Sequence, residues 1–420
     1  MSGSKDVIII GAGIAGISVA YYLNKAGADV TILDKGDGRD NCSYGNAGMI
    51  VPSHIIPLAS PGIIKKGLKW MLSAESPFYI RPRLSRELFD WGWKFKKAST
   101  AQHVEKSAPL LRDLLFKNRE LLVELEQEEE LDFDFQKNGL FMFCKTEKGL
   151  EEEAEVARKA RELGIPAEVL SPAEVRNKES ALDLDIIGAT YFPKDAHLHP
   201  GLLMEGLKRL LTLRGVHFEY KSDVQSFVKQ EGQIQKVQTA DGRVFKCTDV
   251  VIATGAWTPA LCRALDVKIP MQAGKGYSIT LPEAPVMPQH CGIFSEAKVT
   301  MTPMNGRLRF AGTMEITGTD TSITSRKIVG LKKSVCRYLP EYKMEDLDTD
   351  DIWVGLRPIS PDGLPYVGPF DEYKNVFAST GYAMMGMSLG AVCGKTVADL
   401  IMGEKTAFED SLIDPDRYNR

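Results

Sequence analysis

The sequence predicts an α/β fold of two closely packed domains, one built on a parallel sheet and the other on a mixed or antiparallel sheet. Val7 to Ile10 is a short, wholly apolar run of β-branched residues, as in a parallel strand covered on both faces. Residues 276–315, by contrast, alternate like antiparallel strands. A chain of 420 residues is also too long for one small core. These observations together indicate two domains, one with a parallel sheet and one with a mixed or antiparallel sheet.

The first strand leads into a glycine turn and a helix. Gly11, Gly13 and Gly16 form the pattern GxGxxG, a helix is predicted from about Ile14 to Ala26, and a second strand ends at Asp34. In such a unit the glycines allow a tight turn, close backbone approach to a pyrophosphate and close helix packing, and the acid binds ribose hydroxyls. This predicts a Rossmann-like dinucleotide-binding domain. FAD and NAD both remain open at this point, and no second GxGxxG of comparable context occurs.

The remaining elements follow from hydrophobic periodicity and turn residues. Helices are predicted over residues 101–131, 147–164, 201–215 and 387–402, and strands over residues 139–145 and 375–380 and leading into residues 249–257. Because the end of the chain returns to a buried strand followed by a helix, the dinucleotide domain is assembled from separate segments. We expect it to comprise residues 1–97, 196–262 and 355–420, and the substrate domain to comprise residues 98–195 and 263–354.

Composition and charge exclude several functional classes. A formal net charge of -4 argues against a nucleic-acid binder, which would normally carry a basic patch, so small molecules are the expected partners. The 7 cysteines contain no CxxC pair and the 6 histidines have no metal-ligand spacing, so neither a disulfide framework nor a metal site is predicted. "HLHP" (His197 to Pro200) is interpreted as a structural turn before a helix.

Neither a signal peptide nor a spanning helix is expected. The N-terminal residues run directly into the first strand, and no stretch reaches the roughly 18 uncharged apolar residues of a membrane-spanning helix. We expect a cytoplasmic protein, with peripheral contact to the inner face of the membrane as an open alternative.

Two glycine-containing loops suit contact with a flat ligand. "CSYGNAGM" (Cys42 to Met49) is small and polar, although an ordinary connecting loop would also explain it. "STGYAMMGMSLG" (Ser379 to Gly390) joins a buried strand to a helix whose N-terminus would face the N1 and C2=O edge of a flavin. Negative charge develops there when a hydride arrives at N5, and a helix N-terminus stabilises it.

The motifs together resemble the D-amino-acid oxidase superfamily of FAD enzymes, most closely its bacterial D-amino-acid dehydrogenase branch. They recur in family order over nearly the whole chain: "GAGIAG", "SYGNAG", "SPGIIKKGLKWM", "VVIATGAW", "GKGYSIT", "GLRPISPDGLPYVG" and "STGYAMMGMSLG". The resemblance implies an FAD-binding domain of the glutathione-reductase type and a substrate domain on a mixed or antiparallel sheet. Because no cysteine lies between Cys336 and Cys393, where some relatives attach flavin covalently, non-covalent FAD is expected.

The resemblance also implies a set of FAD contacts, most of them in the quoted glycine-containing motifs. Val224 is included through "SDVQSF", which looks like a family strand whose backbone touches adenine. The implied contacts are Gly11, Ala12, Gly13, Ile14, Ala15, Gly16, Asp34, Lys35, Cys42, Ser43, Asn46, Ala47, Gly48, Met49, Val224, Thr254, Gly255, Trp257, Gly381, Met384, Met385, Gly386, Met387 and Ser388.

Arg357 stands among apolar residues in "WVGLRPISPDG" and therefore needs an anionic partner, because an unpaired buried charge is costly. In the family that it resembles, the matching arginine binds the substrate carboxylate, and the guanidinium fork suits such bidentate pairing. A structural ion pair with an acid of the same domain remains the alternative.

Four further side chains are candidates for the substrate pocket. Tyr277 in "GKGYSI" and Tyr382 in "TGYAMM" are candidates to line the pocket or close it over the flavin, although both could be core tyrosines. Met49 is assigned to the pocket on resemblance and could instead be packing, and His54 follows it in a loop that could reach the substrate.

The reaction that these features imply is oxidation of an amino acid, with hydride transfer from Cα to flavin N5 and later hydrolysis of the imino acid. A D-amino acid is expected from the resemblance, with cyclic ones such as D-proline or hydroxy-D-proline included. A glycine or sarcosine oxidase that uses oxygen, and a non-catalytic FAD-binding electron-transfer subunit, remain alternatives.

Quinone or oxygen is the expected electron acceptor. In "IIKKGLKWML", Ile64, Leu68 and either Met71 or Leu72 share one helix face, with lysines toward the other. Together with "FDWGWKFKK" this is typical of a basic interfacial surface that meets the membrane, unless both segments only pack on the FAD domain.

Overall fold

A computed structural model describes residues 5–71, 77–129 and 131–419. Its strands in chain order are β1 (Asp6–Ile10), β2 (Asp29–Leu33), β3 (Met49–Ile50), β4 (Phe78–Ile80), β5 (Leu140–Cys144), β6 (Glu168–Leu170), β7 (Gly188–Phe192), β8 (Ala196–His197), β9 (His217–Glu219), β10 (Val224–Gln230), β11 (Gln233–Thr239), β12 (Val244–Lys246), β13 (Asp249–Ile252), β14 (Gln272–Leu281), β15 (Cys291–Phe294), β16 (Val299–Met304), β17 (Arg307–Ile316), β18 (Ile352–Ile359), β19 (Tyr366–Pro369) and β20 (Val376–Thr380). Its helices are α1 (Ile14–Lys25), α2 (Ile63–Trp70), α3 (Arg86–Ala98), α4 (Ala101–Glu128), α5 (Glu147–Glu162), α6 (Pro172–Lys178), α7 (Pro200–Leu213), α8 (Thr258–Cys262), α9 (Ser325–Tyr338) and α10 (Gly386–Met402).

The first sheet has the order β19-β20-β13-β1-β2-β9. All of its neighbouring strands are parallel except β19, which pairs antiparallel with β20 at the edge. Residues Val7 to Ile10 of β1 are fully covered, as the wholly apolar run predicts. Because β1 and β20 are parallel and each leads into a helix, the N-termini of α1 and α10 lie at the same edge of the sheet.

Helices α1 and α10 pack closely against each other through glycines of α10. A Cβ built on Gly394 would lie 2.6 Å from the Cβ of Ser18, and one on Gly390 would lie 2.7 Å from Cγ1 of Ile14. Only glycine permits such an approach of two helix backbones. The packing brings the start of α10 beside the glycine turn that precedes α1.

The second sheet is mixed and has the order β18-β14-β17-β16-β15-β5-β7-β6, with β4 paired to β17. Strands β14 to β17 form antiparallel pairs within it, as their alternating pattern predicts. The pairs β15 with β5 and β17 with β4 are parallel. The α/β class with a second, mixed sheet is therefore confirmed.

The predicted domain boundaries stay a prediction. They assign residues 1–97 to the dinucleotide domain, whereas β4 within that range hydrogen-bonds to the second sheet. Among the residues that the structure describes, no helix combines the length and the apolar character needed to cross a membrane.

Candidate active site

A large cavity lies between the two sheets. Its volume is about 1120 Å³, above the roughly 1,000 Å³ at the upper end of most ligand pockets. Its walls include the glycine turn after β1 and the start of α10 on one side and strands of the second sheet on the other. This volume is suited to a large cofactor together with a small substrate.

The glycine turn after β1 tolerates no side chain at its first and last glycine. Gly11 has φ +113°, and a Cβ there would lie 2.5 Å from the carbonyl oxygen of Ala253. A Cβ on Gly16 would lie 1.9 Å from the carbonyl oxygen of Gly11. A Cβ on Gly13 would have only an ordinary contact, 3.5 Å from Ser43 Oγ, and Gly13 lines the cavity. The turn therefore exposes bare backbone to the cavity at Gly13.

Asp34, at the end of β2, holds this turn in place. Its Oδ2 accepts a hydrogen bond from Ala12 N at 2.7 Å, and its Oδ1 accepts one from Gly36 N at 2.8 Å. A carboxylate has about four acceptor sites, so two remain for a ligand. Asp34 is half-buried and lines the cavity.

Ser43 and Asn46 order the loop that follows. Ser43 Oγ accepts a hydrogen bond from Ile14 N at 2.9 Å and thereby binds the first turn of α1. Asn46 Oδ1 accepts one from Gly48 N at 2.8 Å. Gly48, with φ +72°, would clash with the carbonyl oxygen of Leu198 if it carried a Cβ.

Arg309 of β17 fixes the same loop from the second sheet, a role that the sequence did not reveal. Its Nη1 donates to the carbonyl oxygens of Tyr44 at 3.0 Å and Asn46 at 2.7 Å, and its Nε donates to Thr280 Oγ1 at 3.0 Å. Burial lowers its pKa to about 10. The buried guanidinium therefore joins the two sheets at the cavity wall.

The start of α10 is fixed by two buried polar side chains. Asn118 of α4 donates from Nδ2 to Met387 O at 3.0 Å and accepts at Oδ1 from Ala391 N at 2.9 Å. In a regular helix the N–H of Ala391 donates to the carbonyl oxygen of Met387, so Asn118 binds both members of one helical pair. Ser388 Oγ donates to Met49 O at 3.0 Å and ties α10 to β3.

Most of the residues predicted to contact the cofactor line this one cavity. The exceptions are Ala12, Gly16, Gly48 and Ser388, which stand behind its wall and support it through the contacts described above. Lys35 and Trp257 meet on the wall, with Lys35 Nζ 3.7 Å from the centre of the indole ring. The glycine backbone, the carboxylate and the helix starts fit the phosphates, ribose and flat rings of a dinucleotide.

Arg357 of β18 lies in the same cavity with its guanidinium over β14. Its Nη1 donates to the carbonyl oxygen of Thr313 at 2.5 Å. Burial lowers its pKa to about 10, which leaves it positively charged near neutral pH. Within residues 5–71, 77–129 and 131–419, no carboxylate forms an ion pair with it. This arrangement leaves a half-buried cation facing a cavity that can admit an anion.

Trp353, four residues before Arg357, is a further wall residue that no sequence motif indicated. A Cβ built on Gly45 would lie 1.9 Å from its Cδ2, and one on Gly355 would lie 1.8 Å from its Cη2. The indole therefore lies directly against the backbone at both glycines. The two glycines make room for this ring between β18 and the loop after β2.

Both candidate tyrosines have their hydroxyl groups bound to protein partners. Tyr277 donates to Glu315 Oε2 at 2.6 Å, and burial, with this carboxylate, raises its pKa to about 12. The Tyr382 hydroxyl lies 2.5 Å from Ser379 Oγ, and burial raises its pKa well above the usual value. Both residues contribute to the cavity wall and to the core.

Met49 and His54 also line the cavity. Met49 pairs through β3 with His197 of β8. His199 caps α7, its Nδ1 accepting from Leu202 N at 3.2 Å, and His197 lies in β8, so "HLHP" joins a strand directly to a helix instead of forming the predicted turn. His54 contacts Ser53, which in turn binds the buried Asp195.

The cavity continues into an apolar limb between α2, β4 and α3. The residues of this apolar limb are Ile64, Leu68, Trp70, Phe78, Trp91 and Phe95. Ile64 and Leu68 are also exposed at the surface, Leu68 to 63%. Leu72, which the helix pattern offered as an alternative to Met71, lies outside the described residues. The limb therefore leads from the cavity to an exposed apolar helix face.

Comparisons with known proteins identify the family and the fold of this chain. The family described as FAD dependent oxidoreductase (DAO) matches residues 6–400. The D-amino acid dehydrogenase of Methylobacterium radiotolerans is 32% identical over 403 residues, which cover 94% of this chain and 96% of that protein. Glycine oxidase from Geobacillus kaustophilus has a TM-score of 0.80 at 23% identity, covering 99% of both chains. L-proline dehydrogenase from P. horikoshii has a TM-score of 0.74 at 18% identity, covering 100% of this chain and 99% of that one.

These matches confirm the resemblance indicated by the sequence motifs, and the solved structures share the fold over nearly the whole chain. The cofactor of the family is FAD, which the dinucleotide cradle fits. The protein belongs to the FAD dependent oxidoreductase family, and it is an FAD-dependent oxidoreductase.

Proposed function

We propose that this protein oxidises a D-amino acid, cyclic ones such as D-proline or hydroxy-D-proline included, to the imino acid and then the 2-oxo acid. The name of the relative from Methylobacterium radiotolerans, D-amino acid dehydrogenase, supports this substrate class. FAD, when bound, would supply the acceptor for the hydride of the substrate Cα, and water would then hydrolyse the imino acid that is released.

The observation that carries the proposal is Arg357. It is a half-buried cation that faces the cavity and has no carboxylate partner among the described residues, and desolvation lowers its pKa. A buried charge without a counter-ion is costly, so the cavity favours an anionic ligand at this point. The guanidinium fork matches a carboxylate with two parallel hydrogen bonds. We assign Arg357 to the substrate carboxylate.

The cradle described above would hold FAD without a covalent bond. The bare backbone at Gly13 and the start of α1 would bind the pyrophosphate, and the free acceptor sites of Asp34 would bind ribose hydroxyls. The start of α10, fixed by Asn118 and Ser388, would point its N–H groups at the flavin edge that gains negative charge. These residues supply position and electrostatics to the transfer.

The substrate side chain would occupy the part of the cavity beside Arg357. Trp353 offers a flat apolar surface there, and Tyr277 and Tyr382 contribute their rings while their hydroxyl groups stay bound to Glu315 and Ser379. Met49 adds an adaptable thioether. With the carboxylate held at one end, orientation of Cα supplies much of the catalysis.

A glycine or sarcosine oxidase that uses oxygen is the second candidate. The fold is shared with a glycine oxidase and with an L-proline dehydrogenase, and the same arginine would serve each of their substrates. Fold similarity at this level of identity does not choose among substrates.

Anaerobic bleaching of the bound flavin tests the proposal. Purified holoprotein is mixed with a panel of D- and L-amino acids, D-proline, cis-4-hydroxy-D-proline, glycine and sarcosine, and the flavin absorbance is followed. Bleaching by D-amino acids with little by their L-enantiomers supports the proposal. Faster bleaching by glycine or sarcosine favours the second candidate. Bleaching by none of the panel contradicts both and favours a non-catalytic FAD-binding subunit.

The electron acceptor would reach the reduced flavin from the side of the apolar limb. Leu68, Phe89 and Trp93 are exposed to 63%, 67% and 58%, next to the lysines of α2 and α3. Apolar side chains within a basic surface are typical of peripheral contact with an anionic membrane. We therefore favour a membrane quinone over oxygen as the acceptor.

A further inference from the structure

Asp195 is a fully buried carboxylate close to the cavity. Its Oδ1 accepts from Ser53 N at 3.0 Å and its Oδ2 accepts from Ser53 Oγ at 2.5 Å. No arginine, lysine or histidine of the described residues forms an ion pair with it. A buried acid of this kind is expensive in its ionised form. The reaction described so far does not use it.

His54 connects this acid to the cavity. It lines the cavity, and its Nδ1 lies 3.2 Å from Ser53 Oγ. Because the Ser53 hydroxyl hydrogen is directed to Asp195, the lone pairs of Ser53 Oγ remain for a hydrogen bond from His54 Nδ1–H. In this tautomer Nε2 carries the lone pair. The three side chains thus form one continuous hydrogen-bonded chain from the cavity to a buried carboxylate.

This chain and Arg357 border the same cavity. Lys298, whose charge acts on His54, directly precedes β16. Val299 of β16 pairs with Gly312 of β17, and the next residue, Thr313, accepts the hydrogen bond of Arg357. His54 and Arg357 therefore border the cavity over neighbouring strands of the second sheet.

Oxidation of an amino acid requires a group that removes a proton from its ammonium. A free α-amino group has a pKa of about 8 or higher, so the substrate arrives at neutral pH as an ammonium. An ammonium has no lone pair to stabilise the carbon that loses a hydride. We propose, building on the function proposed above, that His54, Ser53 and Asp195 form a relay that removes the ammonium proton of the bound amino acid.

The proton transfers balance without any oxidant or reductant. The substrate N–H bond breaks as Nε2–H forms on His54, Nδ1–H breaks as Oγ–H forms on Ser53, and the original Oγ–H breaks as Oδ2–H forms on Asp195. At the end the amine is neutral, the imidazole is neutral with its proton on Nε2, and Asp195 holds the proton as a neutral carboxylic acid.

Of the two titratable side chains in this relay, Asp195 is the one that holds a proton more readily. Burial, with the nearby charge of Lys298, lowers the pKa of His54 to about 4. Burial raises the pKa of Asp195 to about 7, although Ser53 and the charge of Arg119 oppose the rise. An imidazolium is therefore less favourable than a protonated Asp195, so a proton that reaches His54 passes on to the acid.

The other titratable groups around Asp195 leave this assignment unchanged. Cys291 and Tyr191 lie near enough for the charge of Asp195 to raise their pKa values further, beyond the effect of burial, so both stay protonated. His197 of β8 is buried, and burial lowers its pKa to about 4, so it stays neutral. Asp195 is thus the group of this cluster that titrates near neutrality.

The first test is the pH profile of anaerobic flavin reduction at saturating substrate. In the unaltered holoenzyme the rate should rise with pH through a midpoint near 7, where Asp195 ionises. Ser53→Ala and Asp195→Asn should move the midpoint upward to that of the free substrate amine and lower the rate at pH 7 by about a hundredfold. Ser53→Thr, which keeps the hydroxyl, should restore the original midpoint. Unmoved midpoints in Ser53→Ala and Asp195→Asn would overturn the proposal.

The second test needs no turnover. 2-Aminoisobutyrate has the amino and carboxylate groups but no hydrogen on Cα, so it binds without being oxidised. On its binding to holoenzyme at a pH above 7, infrared difference spectra should gain the carbonyl band of a protonated carboxyl, which Asp195→Asn should abolish. A band that persists in Asp195→Asn, or no band in the unaltered protein, contradicts the relay. If the panel of amino acids fails to bleach the unaltered flavoprotein, the proposed function fails instead, so the two failures are distinct.

Discussion

The guanidinium of Arg357 occupies the space where a side chain of Gly276 would stand. Arg357 of β18 pairs with Gly274 of β14, and Gly276 of β14 pairs with Gly355 of β18. A Cβ built on Gly276 would be 2.1 Å from Arg357 Nη1. No real Cβ approaches a heavy atom so closely. The orientation of Arg357 over β14 therefore depends on a glycine that carries no chemistry of its own.

Gly276→Ala should consequently behave as a mild loss of Arg357. The added methyl group would push the guanidinium away from Thr313 O and from the substrate carboxylate, so KM for the amino acid should rise by about tenfold or more. FAD content should stay unchanged. Gly92→Ala, where a Cβ meets nothing within 4 Å, is the matched control and should keep the original KM. An unchanged KM in Gly276→Ala would contradict this dependence.

Arg357→Leu should keep bound FAD and lose amino-acid oxidation. Truncating one member of a buried charge pair costs about 2 to 5 kcal/mol, so kcat/KM should fall by the corresponding factor of roughly 30 to several thousand. Steady-state kinetics with the preferred substrate measure this fall. Arg326→Leu, at an exposed arginine, controls for loss of one positive charge. If kcat/KM of Arg357→Leu equals that of the unaltered enzyme, Arg357 does not bind the carboxylate.

Arg309→Met should weaken FAD binding. The substitution keeps the apolar stem but leaves the carbonyl oxygens of Tyr44 and Asn46 without their buried donor, at about 1 to 3 kcal/mol for each unsatisfied group. The loop between β2 and β3 should lose its fixed shape, and the Kd for FAD, measured by titrating the apoprotein, should rise at least about tenfold. Arg307→Met on the same strand, at a half-buried arginine paired with Asp351, should change Kd little. Equal effects of both substitutions would contradict this role.

The local sequence pattern was sufficient to predict those parts of the candidate site that lie close together in the sequence. The strand, the glycine turn, α1 and Asp34 fall within 34 residues, and periodicity with glycine spacing predicted all of them. The position of Arg357 on the cavity wall is compatible with the binding role predicted from its sequence, where a charge among apolar residues stands out without knowledge of its neighbours. The mixed character of the second sheet followed from the alternating pattern of residues 276–315.

Residues that act across long separations were not predictable in this way. Arg309 and the carbonyl of Tyr44 are 265 positions apart, and Asn118 is 269 positions from Met387. Only the pairing of distant elements makes these contacts. The tyrosine hydroxyl groups illustrate the same limit, since Glu315, the partner of Tyr277, is set by strand register rather than by sequence distance. Asp195 likewise meets Ser53 only in the fold.

Leu68→Glu combined with Phe89→Glu should reduce membrane binding. Both side chains are highly exposed on α2 and α3, and a carboxylate in either place opposes insertion into an anionic surface. Sedimentation with vesicles of phosphatidylglycerol and phosphatidylcholine should pellet the unaltered protein at low salt and pellet the double variant much less. Leu213→Glu, at a leucine of α7 that is 80% exposed, should pellet like the unaltered protein. If the unaltered protein stays in the supernatant, α2 and α3 have no membrane role.

Asp362→Asn should destabilise the protein in a pH-dependent way. Asp362, five residues after Arg357, binds Arg417 with Oδ2 2.7 Å from Nε and Oδ1 3.0 Å from Nη2, and both groups are buried. The guanidinium also lies 3.9 Å from the centre of the Tyr366 ring. Asparagine would leave Arg417 without its counter-charge, so the free energy of unfolding at pH 7 should fall by about 3 to 5 kcal/mol.

The pH dependence of this loss has a definite sign. Burial alone would raise the pKa of Asp362, but the charge and hydrogen bonds of Arg417 outweigh it and lower the pKa below its usual 3.8. The pair therefore contributes its full stability above that value and loses it as the pH falls through the lower pKa of the folded state. Urea unfolding from pH 7 down to pH 3 should thus show the unaltered protein and Asp362→Asn converging only at the acid end. Asp183→Asn, in the exposed pair with Arg176, should differ little from the unaltered protein throughout, and a constant gap between Asp362→Asn and the unaltered protein would contradict the role of this ion pair.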